Sequence, residues 1–310
     1  MILFGLPAEN PRSGWELSVK PPAGRFGFPR ASLGRARVDC CSFAQAVEAI
    51  IGHAAHAGPS ACVVTPNAQH IVLLESDAAL RKAYAHAELV VADGASLLLA
   101  SRLLRERLPE RIAGVDLFER LCAKAANLGL RVFLLGGRPG SAQLAAANLK
   151  RQFPHLKVVG TCCPAAGFER DQRQLQALGD AIRAARPDLL FVAWGAPRQE
   201  SWMHRHGRSL GVPVLIGIGG SFEIVGGLLP RAPRLLQRLG CEWLYRLLLE
   251  PRRLWRRYLV GNCRFLGIIL RQAAGKARMV AEASDCVPAS APTPYTDAGR
   301  EESIRWKTNS

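Results

Sequence analysis

The sequence reads as an α/β protein built on a mostly parallel sheet with flanking helices, followed by a basic helical appendage. Three observations predict this. From Ala36 to about Pro230, short apolar runs alternate with helix-type segments in a strand-helix rhythm. The runs are apolar at nearly every residue, as strands covered on both faces must be. After Arg231 the rhythm stops: the fifty residues to Val280 hold twelve Lys or Arg against only Glu242 and Glu250, so +10 of the chain's formal +16 lies there.

ARVDCCSF opens the rhythm and precedes a helix over 44–55. ACVVTPN leads into a helix over 69–86, LVVADG into one over 95–105, and RVFLLGG into one over 141–153. LKVVGT precedes a helix over 170–186, DLLFVAWG precedes one over 199–210, and PVLIGIGG closes the sheet. In the appendage, Leu235, Leu236, Leu239, Trp243 and Leu247 recur at helical spacing, and Pro251 is expected to kink the segment or restart it as a second helix. The organisation expected is a variable, poorly ordered segment over 1–35, an α/β domain over 36–230, the appendage over 231–280 and a small, polar, disordered tail over 281–310.

A chain of 310 residues with 49% apolar content has ample material for a core, and its positive charge favours phosphates, nucleic acid or anionic lipid as partners. The nine cysteines include the vicinal pairs Cys40/Cys41 and Cys162/Cys163 but no CxxC, which argues for buried thiols in a reducing compartment and against a disulfide framework or zinc site. The opening residues lack a basic n-region, and no stretch approaches ~18 charge-free apolar residues, so the chain is expected neither to cross nor to span a membrane.

In a parallel sheet the carboxyl ends of the strands open into ligand-holding loops, here TPN (65–67), ADG (92–94), GGRPG (136–140), GAPRQE (195–200) and GIGGSFE (217–223). Asp93 is the natural general base, although the spacing serves equally well for a cap on the helix that begins near Ala95. Thr65 and Asn67 bind a sugar or orient that carboxylate, or else form an ordinary turn. Gly136 and Gly137 lie where backbone amides can meet a phosphate, but GGRPG lacks the spacing of the dinucleotide fingerprint. Gln199 and Glu200 open a helix, the first suited to bind substrate through its amide, the second favourable to the helix dipole. Glu223 is a second carboxylate near a strand end and, with no partner in view, is expected to be exposed. His204 and His206 point to different sides of a helix and read as surface residues, while His70 and His86 read as unpaired, so no metal site is expected. Arg246, Arg253, Arg256 and Arg257 recur among Trp243, Tyr245, Trp255 and Tyr258. Guanidinium forks suit diphosphate oxygens, and on one continuous helix Arg246, Arg253 and Arg257 share a face with Arg256 at its edge. The same face suits anionic lipid headgroups, or plain solvent.

Taken together and in this order, TPN, VADG, RIAGVD, LLGG, GAPRQE, GIGGSFE, RAP and GCEWLYRLLLEPRRLWRRY resemble the WecG/TagA/CpsF family of bacterial glycosyltransferases, over about residues 36–270. The resemblance implies a Rossmann-like body with a basic C-terminal appendage, peripheral on the inner face of the cytoplasmic membrane. It implies an inverting, metal-independent transfer with no cofactor, in the building of bacterial surface polysaccharide. The donor would be a UDP-sugar of the N-acetylmannosamine, N-acetylmannosaminuronic acid or glucose type, the acceptor a polyprenyl-diphosphate-linked sugar, and an anionic membrane surface a third partner.

By motif position Asp93 resembles the base, and Thr65, Asn67 and Gln199 resemble active-site polar residues. Arg111 of RIAG resembles an arginine beside the acceptor pocket, and Pro197, Gly219 and Gly220 fall in the substrate-binding loops. Arg246, Arg253 and Arg256 match appendage arginines that close over the nucleotide diphosphate. Glu223 stands where many members have Asp, Cys241 where a small or apolar residue is usual, and residues 1–35 match nothing in the family. A nucleic-acid-binding protein and a catalytically silent membrane scaffold are the rival readings. Five polar, Gly-rich loops at successive strand ends argue against nucleic acid as the partner, the joint presence of Asp93, Asn67 and Gln199 argues against the scaffold, and homo-oligomer formation stays open.

Overall fold

The computed structural model describes residues 26–56, 58–238 and 240–285, with side chains described except at 238, 253 and 277–285. β1 (Arg30–Leu33) and β2 (Ala36–Asp39) form an antiparallel hairpin of their own. The ordered body therefore starts before Ala36, and ARVD is not a strand of the main sheet. The cause is local: Ala31, Leu33, Ala36 and Val38 alternate with polar residues and are buried, and Gly34 supplies the positive φ of +57° at the turn.

β3 (Ala61–Val64), β4 (Leu89–Val90), β5 (Arg131–Gly136), β6 (Lys157–Cys162), β7 (Leu189–Ala193) and β8 (Val214–Gly217) form one parallel sheet in the order β4-β3-β8-β7-β5-β6. Successive strand residues face opposite layers. Val63, Leu134, Phe191 and Ile216 pack with α1 (Phe43–Ala55), α5 (Gly114–Leu128), α6 (Ser141–Gln152) and α9 (Ser221–Val225). Val64, Leu135, Val192 and Leu215 pack with α2 (Ala68–Ser76), α3 (Ala78–His86), α4 (Ala95–Leu103), α7 (Gln172–Ala185) and α8 (Arg198–His206), together with the hairpin. This is the expected α/β fold with a parallel sheet covered on both sides.

Two helical expectations change. The single helix over 69–86 is broken at Asp77, whose carboxylate accepts Leu80 N–H at 2.9 Å and so caps α3 as a separate helix. The helix α5 falls in a stretch for which no element was expected. Its apolar stripe of Leu117, Phe118, Leu121, Cys122 and Ala125 is wholly buried, and Gly129 ends it in the left-handed region.

The appendage consists of α10 (Arg234–Arg238), α11 (Glu242–Leu249), α12 (Pro251–Trp255), a π-helical turn over Arg256–Val260, and α13 (Gly261–Asp285). Pro251 restarts the chain as a new helix from its first position. Residues to Ala273 cluster as one compact unit that includes α10 to α12. Within that unit Phe265, Ile268 and Ile269 of α13 are buried beside the hairpin, while Gln272 accepts Gly34 N–H at 2.8 Å and donates to Ser32 O at 2.9 Å. The helix runs past residue 281, the expected start of the tail; residues 1–25 and 286–310 lie outside the described ones. Among the described residues no helix is long and apolar enough to cross a membrane. The described cysteines are free thiols, but only Cys41 and Cys122 are buried and Cys263 is exposed.

Candidate active site

A cavity of about 530 Å³ opens at the carboxyl ends of the central strands, where the strand order reverses between β3 and β8. The ladder carries the chain into it: Val91 N–H donates to Val64 O at 3.0 Å, and Asp93 N–H to Pro66 O at 2.7 Å. Asp93 therefore stands beside the TPN loop by main-chain bonding alone.

The Asp93 carboxylate does not cap α4, whose first cap position is Gly94 and carries no side-chain bond. It faces the start of α5, where Gly114 N–H donates to Oδ2 at 3.3 Å. Burial pushes the Asp93 pKa up to about 6, against the opposing pull of the Gly114 N–H and the Arg111 charge; Glu242 adds to the rise. A carboxylate tuned in this way is ionised at neutral pH yet basic enough to take a proton.

Thr65 and Asn67 line the same cavity. The Thr65 hydroxyl donates to Gly217 O at 2.9 Å, tying the end of β3 to that of β8. Asn67 caps α2. Gln199, expected to offer its amide to substrate, instead turns into the protein: Oε1 accepts Gly195 N–H at 2.9 Å and Gly219 N–H at 3.2 Å, and Nε2 donates to Glu200 Oε1 at 2.8 Å. It clamps the GAPRQE loop to the GIGG loop. Glu200 is equally buried and pairs with His70, whose Nε2 lies 3.4 Å from Glu200 Oε1, so His70 is not the isolated histidine that its spacing suggested. His86 and His204 also meet, with ring centroids 4.7 Å apart, and His206 packs on Trp202 at 5.5 Å, so neither His204 nor His206 is a plain surface residue.

Among the expected binding residues, Arg111, Gly137, Gly219, Gly220, Glu223 and Arg246 line the cavity, whereas Gly136, Pro197, Glu200 and Arg256 do not. The Gly137 amide is not available to a phosphate, because it donates to Ala193 O at 2.8 Å. The glycine pair serves packing: a Cβ on Gly136 would lie 2.6 Å from the Trp194 indole nitrogen, and one on Gly137 would lie 2.2 Å from Ser141 Oγ. Pro197, joined to Ala196 by a cis peptide, is the residue before α8. Glu223 is not exposed; at 6% accessibility it accepts Arg138 N–H at 2.9 Å and steadies the GGRPG loop.

The helix α11 bridges two loops of the body. Arg111 pairs with Glu242 at its start at 3.4 Å, and Arg138 pairs with Glu250 just past its end at 2.7 Å. Between them Arg246 reaches the GIGG loop, where a Cβ on Gly220 would lie 3.2 Å from Arg246 Nη2. Arg257 and Tyr258 follow it into the cavity lining. Arg256 is exposed, with its guanidinium 5.3 Å from the Trp255 ring centre. The break at Pro251 and the π-helical turn destroy the single helical arc on which four arginines were laid out. The Arg253 side chain lies outside the described ones. Sequence reasoning missed Arg138, Arg198 and Glu242 as lining residues; a charged residue inside GGRPG, and Glu242 four residues before Arg246, were the signals to follow.

Residues 31–279 match the model of the glycosyl transferase WecG/TagA/CpsF family, a span that begins inside the segment expected to match nothing. The chain is 38% identical over 173 residues to the N-acetylglucosaminyldiphosphoundecaprenol N-acetyl-beta-D-mannosaminyltransferase of Bacillus spizizenii, covering 56% of this chain and 65% of that protein. It is 35% identical over 170 residues to the protein of the same description from Bacillus subtilis, covering 55% and 64%. The aligned part thus spans just under two thirds of either relative. With the family model matched over most of its length, from the hairpin to α13, the chain belongs to the WecG/TagA/CpsF family of glycosyl transferases.

Proposed function

We propose that the chain is an inverting glycosyltransferase that moves N-acetylmannosamine from a UDP donor onto a polyprenyl-diphosphate-linked N-acetylglucosamine. The observation that carries the reading is the meeting of a carboxylate with a pKa of about 6 and the appendage guanidinium of Arg246 in one cavity. The relatives' names, which state that sugar and that lipid acceptor, supply the substrate class.

In the proposed step the acceptor hydroxyl gives its proton to Asp93. Its oxygen bonds to the anomeric carbon while the bond from that carbon to UDP breaks, and the electron pair leaves with the diphosphate. One displacement inverts the centre. Arg246, with Arg257 beside it in the lining, takes up the charge that develops on UDP, the role a divalent cation fills in many transferases. Arg111, held by Glu242 near Asp93, lies on the acceptor side. The exposed appendage residues Leu248, Leu259, Leu266 and Leu270, interleaved with Arg252, Arg256 and Arg264, rest on anionic lipid and bring the cavity to its acceptor.

Incubating the purified chain with UDP-N-acetylmannosamine and a short polyprenyl-diphosphate N-acetylglucosamine tests this by product mass. A disaccharide-lipid and free UDP are expected. Transfer from a different UDP-sugar alone would reassign the donor, and no transfer from any UDP-sugar would overturn the reading.

A further inference from the structure

Asn67 presents one end of its amide to the protein. Its Oδ1 accepts Gln69 N–H at 3.0 Å and lies 3.0 Å from His70 Nδ1. A backbone N–H can only donate, so the oxygen is fixed inward, and the two donors of Nδ2 are left for the cavity that Asn67 lines. His70 holds the main chain of the same residue: Nδ1 accepts Asn67 N–H at 3.1 Å, so the ring braces the cap from its backbone side.

Behind His70 stands Glu200. Nε2 and Oε1 are 3.4 Å apart, and Glu200 is only 1% accessible. A carboxylate buried this deeply is costly unless a donor faces it, and here the Gln199 amide donates to Oε1 at 2.8 Å while the His70 ring lies against the same oxygen. Gln199 in turn holds Gly195 and Gly219. One polar chain therefore runs from the GAPRQE loop through Glu200 and His70 to the TPN loop, and it ends on Asn67.

We infer that Glu200 and His70 are positioning residues for the transfer. Glu200 packs against the ring of His70, and the ring, accepting Asn67 N–H, fixes the cap residue so that its amide N–H donors meet the substrate. The inference rests on the reading of the cavity as a transferase site. Both residues act through Asn67.

The test is a double-mutant cycle on the full chain, reading turnover, UDP affinity and thermal stability for His70→Ala, Asn67→Ala and the pair. Each single change is expected to lower kcat by about 10- to 100-fold, the scale of a misplaced active-site group, with UDP affinity within about twofold. The double variant is expected to be no slower than the slower single one, since both remove the same function. His70→Asn, which keeps a polar atom near the Nδ1 position, is expected to recover part of the loss, and it replaces His70→Ala in the cycle if that variant does not fold. Losses that multiply in the double variant would overturn the inference, because a helix cap and a filled core have no reason to cancel. A second arm needs no activity: exchange of the Gln69 amide hydrogen is expected to quicken in Glu200→Gln, and an unchanged rate would sink the chain of contacts. A wild-type protein without transfer activity would refute the proposed reaction, while the Gln69 measurement still judged the positioning.

Discussion

At the scale of single residues, Asp93, the base of the proposed transfer, owes its place in the cavity to where its main chain is pinned. Its pKa of about 6 makes turnover expected to rise as pH increases through about 6 and to level off above 7; a rate flat from pH 5 to 8 would exclude Asp93 as the base. The same shift has a stability consequence of fixed sign. Its folded pKa lies above the ordinary 3.8, so the stability this carboxyl contributes is fully present below that value and is lost as pH rises through about 6. Asp93→Asn cannot ionise and is expected to raise Tm at pH 7.5 by about 2–4 °C, with no gain at pH 4. Asp93, Thr65 and Asn67 were legible in the sequence as strand-end residues, and they line the cavity because strand ends in a parallel sheet converge there. The direction of the Gln199 amide was not legible, because a position after a strand does not say which way a side chain turns. The carboxyl-end rule places Gln199 near the cavity, but packing against Glu200 and Gly217 turns its amide inward.

Among the elements, β8 and α11 decide whether the cavity keeps its shape. Gly217 ends β8 where a Cβ would lie 2.8 Å from Gln199 Nε2 and 3.1 Å from Met203 Cε. Gly217→Ala is expected to cost about 1–3 kcal/mol in urea unfolding, as overpacking does, and to weaken the clamp between the two loops. The helix α11 is held at both ends by ion pairs of modest strength, with Arg246 between them. Arg246→Ala is expected to weaken UDP binding by about 10- to 100-fold, the loss of one or two charge-assisted hydrogen bonds, with Tm nearly unchanged. Titration calorimetry checks this, and wild-type affinity in that variant would remove the appendage from the donor site. Among the described residues, apolar runs made seven of the eight strands and most helices legible. The helix α5 and the split between α2 and α3 were not, since the first lies in a stretch where no strand heralds a helix and the second turns on one carboxylate bonding its own backbone. The arginine arc failed for a related reason: residue spacing assumes one continuous helix, and Pro251 and the π-helical turn each reset the phase.

For the whole molecule, the charge asymmetry seen in the composition becomes a surface. The exposed arginines of the appendage stand among exposed leucines, the pattern of a helix lying in a lipid interface. Neutralising Arg252, Arg256 and Arg264 as glutamines is expected to lower affinity for phosphatidylglycerol vesicles by about fivefold per residue, as ~1 kcal/mol each implies. Equal sedimentation of the triple variant with anionic vesicles would contradict the docking surface. What sequence could not place was β1 and its pairing with β2, because β1 lies just before the α/β rhythm and neither strand of the hairpin joins the main sheet. The central claim, a metal-like role for Arg246 opposite an Asp93 base, is tested most directly by one comparison: turnover and UDP affinity of Asp93→Asn beside the unaltered chain. Turnover is expected to fall by about 10²- to 10⁴-fold while UDP binds within about twofold of the unaltered affinity. An Asn variant that turns over at the original rate would contradict it.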